Sequence, residues 1–386
     1  MQRLRVLDSF RGLCAIALMV YHSHALCTFT EAHFFRAADR FVEFFFILSG
    51  FVLALTYANR LKSVEQLHGF IVSRIFRLYP LHLVMLAVFI GLEFMKLMAE
   101  RHGIAFTSAA FSGARAPSEI VPNLFLLQSW WAGFNPMSFN YPSWSISVEF
   151  YLYLLFAAIT FWLPGQARLI GAAIALIAFA ALQNQSQWQM TEYSLRGLSC
   201  FFAGQLVYTL YEKIKDVQLD RPLATALEVL ALVTIFCVMS YATEHREAIL
   251  VGLFCLTVVL FSFEAGEVSA LMCKPLFTRL GTLSFSIYMV HAAVLFVTPL
   301  ALGIYSSHSG IQLLTDQVEA ATGTQFRYID TGSVLINTVL VLVPMLLTIA
   351  LANLSYRYIE MPGIALGKRL RKARLAPVMP GGASLG

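Results

Sequence analysis

Apolar residues in this chain do not alternate, and they are not confined to one helical stripe. They come in long runs near the ~20 residues that a bilayer-crossing helix needs, separated by shorter polar stretches. About ten such runs can be laid out, over residues 10–30, 41–58, 78–98, 146–163, 168–184, 194–211, 223–242, 248–264, 283–303 and 333–353. The pattern predicts an all-α polytopic integral membrane protein with about ten transmembrane helices. Basic residues collect in alternate intervals: Arg60, Lys62, Arg74 and Arg77; then Lys213, Lys215 and Arg221; then Lys274 and Arg279; then Lys368, Arg369, Arg371, Lys372 and Arg374. By the positive-inside rule, both termini then lie in the cytoplasm of a cell whose inner membrane holds the protein. Residues 1–358 form the membrane domain in this reading, and 359–386 a basic cytoplasmic tail. The Pro/Gly/Ala-rich end of that tail, near 376–386, is expected to be disordered.

Two outer intervals are long. Residues 99–145 contain NLFLLQSWW (123–131), apolar but too short to span, which suits a re-entrant or interfacial segment. Trp130, Trp131 and Trp144 fit an aromatic belt at headgroup level. Residues 304–332 carry Asp316, Glu319, Arg327 and Asp330.

Composition agrees with a lipid-embedded chain. Of 386 residues, 58% are hydrophobic and 13% charged, against roughly 25% charged in soluble domains. The formal charge of +5 gives no reason to expect nucleic acid, because the basic residues sit where topology puts them. Six cysteines (Cys14, Cys27, Cys200, Cys237, Cys255 and Cys273) lie scattered in apolar surroundings without a CxxC, and read as small buried hydrophobes rather than a disulfide framework or a metal site. Arg3 and Arg5 before an apolar run imitate a signal peptide. Asp8, Arg11, His22 and His24 interrupt that run, so the first segment is read as a retained span.

The candidate chemistry starts from that interruption. Arg11 and His22 are eleven residues apart, about three helical turns, so they share a face ~16 Å apart along the axis. This puts Arg11 near one surface and His22 near mid-depth, where an ionisable group is costly and commonly faces a cavity. Asp8 offers Arg11 a local partner, and a hydrogen bond to a neighbouring helix would account for His22 structurally. Arg74 and Arg77, in RIFRLYP before the third span, have the spacing to grip a phosphate by forked hydrogen bonds, although inner loops gather arginines anyway. Glu149, in PSWSISVEFYLYLLF (142–156), needs a cation or a proton inside its apolar helix. A structural partner such as an arginine or tyrosine on another span would serve, and so would pairing with His22 across a cavity. GTLSFSIYMVH (281–291) brings Ser284, Ser286, Tyr288 and His291 into the ninth span, where hydroxyls often only bond helix to helix. In YRYIEMP (356–362), Arg357 and Glu360 are placed to pair locally, with Pro362 ending the helix.

Together these stretches resemble the membrane acyltransferase-3 family through nearly all of the chain. The family's Arg-x10-His is met by Arg11 and His22, and its Phe-rich run ending in Ser-Gly-Phe by FFFILSGF (44–51). Its R-x-x-R is met by Arg74 and Arg77, and its S-W-S-x-x-x-E by Ser143, Trp144, Ser145 and Glu149. The late G…S…Y…H and the terminal Y-R-x-x-E-x-P are met as well. Ser9-Phe10 stands where Gly-Leu is usual, His24 is extra, and no SGNH-type hydrolase domain follows, as in stand-alone members. The resemblance implies transfer of an acyl group, usually acetyl, from cytoplasmic acyl-CoA to a hydroxyl of a saccharide or glycolipid, with no permanently bound cofactor. It assigns His22 as catalytic base and Glu149 as its support. Arg11, Arg74 and Arg77 become donor-binding residues, and Ser145, Tyr288 and His291 candidates for oxyanion or acceptor contacts. An acyl-His22 intermediate is a second route. A transporter or flippase using His22 and Glu149 as proton relays is the rival reading, against which stands the lack of an internal repeat.

Overall fold

Each of the ten apolar runs overlaps a helix in the computed structural model, which describes residues 4–102, 108–182, 189–242, 246–318 and 325–375. In chain order the helices are α1 (Arg5–Tyr21), α2 (Phe41–Tyr57), α3 (Val64–Arg101), α4 (Ser143–Trp162) and α5 (Ala167–Leu182). Then come α6 (Glu192–Ile214), α7 (Arg221–Tyr241), α8 (Arg246–Phe261), α9 (Pro275–Ser309), α10 (Val334–Ser355) and α11 (Met361–Leu375). Among the described residues, five stretches are both long and apolar enough to cross a membrane: α3, α4, α7, α9 and the run from α10 into α11. The chain is therefore a multi-pass, predominantly helical membrane protein.

Helix limits differ from the apolar runs where polar groups start or stop a helix. Ser63 and Gln66 form a capping box, the Ser63 hydroxyl accepting from the Gln66 amide and the Gln66 side chain accepting from the Ser63 amide. That start is well before the apolar run at 78, so Arg74 and Arg77 lie inside α3 and not in a loop ahead of it. α1 begins at Arg5 and stops at Tyr21, short of the run's expected end at 30. There the Arg36 guanidinium donates to the carbonyls of Val20 (3.1 Å) and Ser23 (2.8 Å), taking over acceptors the helix leaves open. Pro362 does not end the last helix. A wide π turn, Tyr356–Glu360, joins α10 to α11 and accommodates the missing donor of the proline. The domain boundary drawn at 358 falls inside this turn, and α11 packs back on α3, its Gly363 against Pro80. The tail's far end, 376–386, lies outside the described residues.

Segment 123–131 packs one side into the bundle and leaves Leu124, Phe125, Leu127 and Trp131 exposed. Leu126, Gln128 and Ser129 are fully buried, the Ser147 hydroxyl donates to the Leu126 carbonyl (2.5 Å), and the Trp130 indole donates to the Ser147 carbonyl (3.0 Å). Trp144 is also buried, against Phe46, Tyr193 and the Arg196 guanidinium, and does not face the headgroups. Of the cysteines, Cys14 and Cys200 are buried, but Cys27 and Cys237 are exposed. The second long interval carries an antiparallel hairpin, β1 (Leu314–Val318) and β2 (Gln325–Ile329), with Asp316 opposite Arg327 and ion-paired to it at 3.0 Å. Ile329 is stitched to the segment after α1: its amide donates to the His24 carbonyl and its carbonyl accepts from Leu26.

The helices meet through glycine. A Cβ on Gly12 would lie 2.5 Å from the backbone of Gly281, and one on Gly281 would lie 2.2 Å from the Asp8 carbonyl oxygen. The second crossing joins α2 to α6: a Cβ on Gly50 would come within 1.8 Å of the Phe201 carbonyl, and one on Gly204 within 1.9 Å of the Ile47 carbonyl. In lipid, where helix association rests on close packing and not on expulsion of water, such small-residue contacts hold helices together.

Gly281→Leu should force α1 from α9 and lower the thermal midpoint of the detergent-solubilised protein by several degrees, with loss of monodisperse material. Gly252→Ala, at a helix position with open space around it, should leave the midpoint unchanged or raise it slightly. Equal stability of both variants would remove the crossing from this role.

Candidate functional site

Three layers of polar groups run through the bundle beside the α1–α9 crossing. The first is a cavity of about 370 Å³ whose walls include Arg11, Ser49, Arg74, Arg77, Tyr153 and Glu360. Arg74 and Arg77, one turn apart on α3, both reach it. The Arg74 guanidinium lies 5.5–5.8 Å from the rings of Tyr57, Phe70 and Tyr153, three faces that favour a cation. Arg77 is half-buried and senses the charges of Glu360, Glu149 and Asp8. Glu360 turns inward through the π turn and accepts from the Ser286 hydroxyl at 3.0 Å, while Arg357 rests over the Tyr358 ring. The local Arg357–Glu360 pair expected from spacing is thus replaced by a long-range contact.

The second layer is a narrow space of about 40 Å³ between Arg11, Phe45, Ser49, Ser145, Glu149 and Tyr288. Arg11 and Ser49 line both it and the larger cavity, so the two are neighbours across these side chains. Glu149 accepts from the Ser49 hydroxyl at 2.7 Å and also from the Tyr153 hydroxyl. The Ser145 hydroxyl donates to the Tyr288 hydroxyl at 3.0 Å.

The third layer holds the histidines. His22, the residue that ends α1, stacks on His291 with ring centroids 5.4 Å apart and 24° between planes, and meets Tyr141 at 4.5 Å. His291 is fully buried; it is 5.8 Å from Tyr288 and 5.7 Å from Tyr141, its ring lies near the Ile287 and Tyr288 backbone one turn back, and neither ring nitrogen makes a hydrogen bond of good geometry. A buried imidazole paired this poorly is costly in a settled core and leaves its ring able to bond a further polar group. Arg36 fixes this end of α1 and also touches the His24 ring nitrogen at 2.9 Å.

Of the residues singled out by sequence, Arg11, Arg74 and Arg77 converge on one cavity, and Ser145, Glu149 and Tyr288 on the adjoining space. His22 and His291 meet beyond it. The expected His22–Glu149 pair does not form: Glu149 is bound by Ser49 and Tyr153, and the groups against His22 are His291 and tyrosines. The Ser145–Tyr288 pair lies between the two. Ser49, Tyr153, Tyr141 and Arg36 were not singled out. Ser49 stands in the quoted Ser-Gly-Phe and Tyr153 one turn after Glu149, which were available signals. Nothing in the local pattern marks Tyr141 or Arg36.

The acyltransferase domain model of the acyltransferase-3 family matches residues 4–353. A stretch of 162 residues is 30% identical to acyltransferase MdmB of Streptomyces mycarofaciens, covering 40% of this chain and 38% of that protein. Another of 91 residues is 38% identical to protein 2 in the picA locus of Rhizobium radiobacter, covering 22% of this chain and 44% of that protein. The chain therefore spans less than half the length of the curated relatives it matches. No solved structure matches it significantly. The match over residues 4–353, with the motif residues gathered along one crossing, establishes that this chain belongs to the acyltransferase-3 family.

Proposed function

We propose that this acyltransferase moves an acyl group, acetyl by preference, from cytoplasmic acyl-CoA to a hydroxyl of a saccharide, exopolysaccharide or glycolipid. The observation that carries the reading is that Arg11 and Ser49 belong to two spaces at once. A cation-walled cavity suited to phosphates adjoins a narrow space, suited to a thin thioester arm, which ends at buried hydroxyls next to two histidines. In this reading the ten helices α1 to α10 are the spans, both termini are cytoplasmic, and the arginine cavity opens inward. Lipid surrounds the bundle, and no bound cofactor enters the reaction.

Each chemical role follows from position. Arg74 and Arg77 hold donor phosphates, Arg77 by forked hydrogen bonds and Arg74 as a cation braced on aromatic rings. The acyl carbonyl lies at the Ser145–Tyr288 pair, where a hydroxyl donates to the oxygen as negative charge develops. His22 takes the proton of the acceptor hydroxyl as that oxygen forms its bond to the acyl carbon. The carbon–sulfur bond then breaks, the leaving thiolate is met by Arg11, and the proton passes from the imidazolium to sulfur. Glu149 supports the cationic state of His22 by its charge across the Ser145–Tyr288 pair, not by direct contact. His291, its ring nitrogens without a well-formed hydrogen bond, is placed to orient the acceptor or to hold the proton in transit.

His22→Ala should abolish transfer and leave donor binding within about twofold of wild type; retained transfer in folded, membrane-inserted protein would end this mechanism. Tyr288→Phe should lower kcat by about 10²–10³, the loss for one oxyanion donor, with little change in donor KM. Arg77→Ala should weaken CoA binding about ten- to a hundredfold, as expected for loss of one charged hydrogen bond of about 1.5–3 kcal/mol. CoA affinity unchanged in both Arg74→Ala and Arg77→Ala would leave the arginines as topology markers only. Reporter fusions should map residues 110 and 310 outside and the end of α11 inside, and a reporter at 310 found in the cytoplasm would sink the ten-span arrangement.

A further inference from the structure

The sequence of α11, PGIALGKRLR over 362–371, sets two glycines four residues apart on one helical face. That face lies on α3. A Cβ on Gly363 would come within 2.7 Å of the Pro80 ring, and one on Gly367 within 2.7 Å of the Phe76 side chain. A turn further on, a Cβ on Gly69 would meet the Arg371 stem at 2.9 Å. Successive turns of α11 therefore descend α3 from Pro80 toward its start. Arg74 lies between Phe76 and Gly69 along α3, so its level on α11 falls between Gly367 and Arg371.

α11 also walls one side of the arginine cavity, through Ile364. Lys368 and Arg371 follow Ile364 by four and seven residues, one and two turns, and so share its face. Arg369 is turned roughly 140° away from Ile364. All three basic residues are exposed, and among the described residues none of them has an ion-pair or hydrogen-bond partner. α11 packs chiefly on α3 and the π turn, whose nearby carboxylates are Glu65, one turn before Gly69, and Glu360. Glu360 accepts from the Ser286 hydroxyl, and Glu65 has an interaction of its own.

The cavity's own charges fall short of the donor's. Its walls hold Arg11, Arg74 and Arg77 against the carboxylates Asp8 and Glu360. CoA brings a diphosphate and, on the adjoining ribose, a 3′-phosphate that alone carries about 1.5–2 negative charges. The arginines deep in the cavity can serve the diphosphate, which leaves the 3′-phosphate to be met at the rim. We propose that Lys368 and Arg371 hold the 3′-phosphate of the donor while Arg74 and Arg77 hold its diphosphate. This assignment rests on the acyl-CoA reading above and adds to it the residues that select for the nucleotide end. α11 is thereby part of the donor site, and not only a basic tail behind the last span.

The test measures binding of CoA and of 3′-dephospho-CoA to the full chain in detergent by calorimetric titration. Wild type should bind CoA about twentyfold tighter, about four- to fivefold for each exposed charge contact. Lys368→Gln and Arg371→Gln should each cut that preference about fourfold, and the double variant should bind the two ligands alike. Unchanged affinity for 3′-dephospho-CoA shows that a variant is folded, and Lys368→Gln alone decides if Arg371→Gln is not. Arg371→Lys should keep most of the preference, which separates lost charge from lost packing on Gly69. Arg369→Gln removes the same charge from the other face and should keep the full preference. Equal affinity of wild type for the two ligands, or a preference that survives in the double variant, would overturn the subsite. An equal loss in Arg369→Gln would reduce it to the general field of the helix and overturn it too. Binding of neither ligand by wild type would end the acyl-CoA reading itself, and the subsite with it.

Discussion

Everything in the candidate site depends on the backbone-to-backbone crossing of α1 and α9 at Gly12 and Gly281. No side chain separates the helices there, so Arg11 and His22 on one side and Ser286, Tyr288 and His291 on the other lie within reach of common neighbours. The crossing is fastened at one end: the Ser9 hydroxyl donates to the Met272 carbonyl at 2.7 Å, and the Glu264 carboxylate accepts from the Val6 amide at 3.1 Å. The Gly50–Gly204 crossing sets Ser49 one residue away from a locked contact, which fixes the hydroxyl that Glu149 accepts from. The glycines in the two motifs serve packing first; the chemistry is built on the residues beside them.

The price of a polar interior is met by pairing. Glu43, buried, accepts twice from Arg196 through one carboxylate oxygen, at 2.5 and 2.9 Å, and Arg40 approaches the same oxygen. Glu228 accepts from the amides of Gly266 and Ser269 and from the Ser269 hydroxyl, which holds the short helix Glu267–Met272 under α1. Glu228 is thereby closed, whereas Glu43 keeps its second oxygen, and His291 its ring nitrogens, without a well-formed hydrogen bond.

Much of this was legible in the sequence because the relevant signals are local and periodic. The eleven-residue spacing of Arg11 and His22, the i to i+3 spacing of Arg74 and Arg77, and the apolar lengths of the runs are consequences of helical geometry alone. Partners were harder to read. Glu149 was expected against His22 because both sit at comparable depth, but depth fixes one coordinate of three, and the rotation of α4 turned Glu149 toward Ser49 of α2, with Tyr153 one turn further along its own helix. Trp144 was expected at the headgroups on composition and went inside, because Arg196 and Tyr193 on α6 offered it a cation and a ring. The early start of α3 was hidden because its first turns carry charge and fall outside the apolar run, although the Ser63–Gln66 cap is a plain local signal.

The crossing of α1 and α9 joins segments made at very different times. Ser9 and its acceptor Met272 are 263 residues apart in the chain, and Gly12 and Gly281 are separated similarly. At roughly 5–20 residues per second of synthesis, α1 waits on the order of 13–50 s for the helix it belongs to. During that wait Arg11 lacks the part of its cavity wall that α9 and the π turn supply, Gly281, Thr282, Tyr356 and Glu360. The last of those residues arrives only at the far end of the chain. α1 therefore lacks its main packing partner for most of translation, so the first helix to be made is among the last to settle.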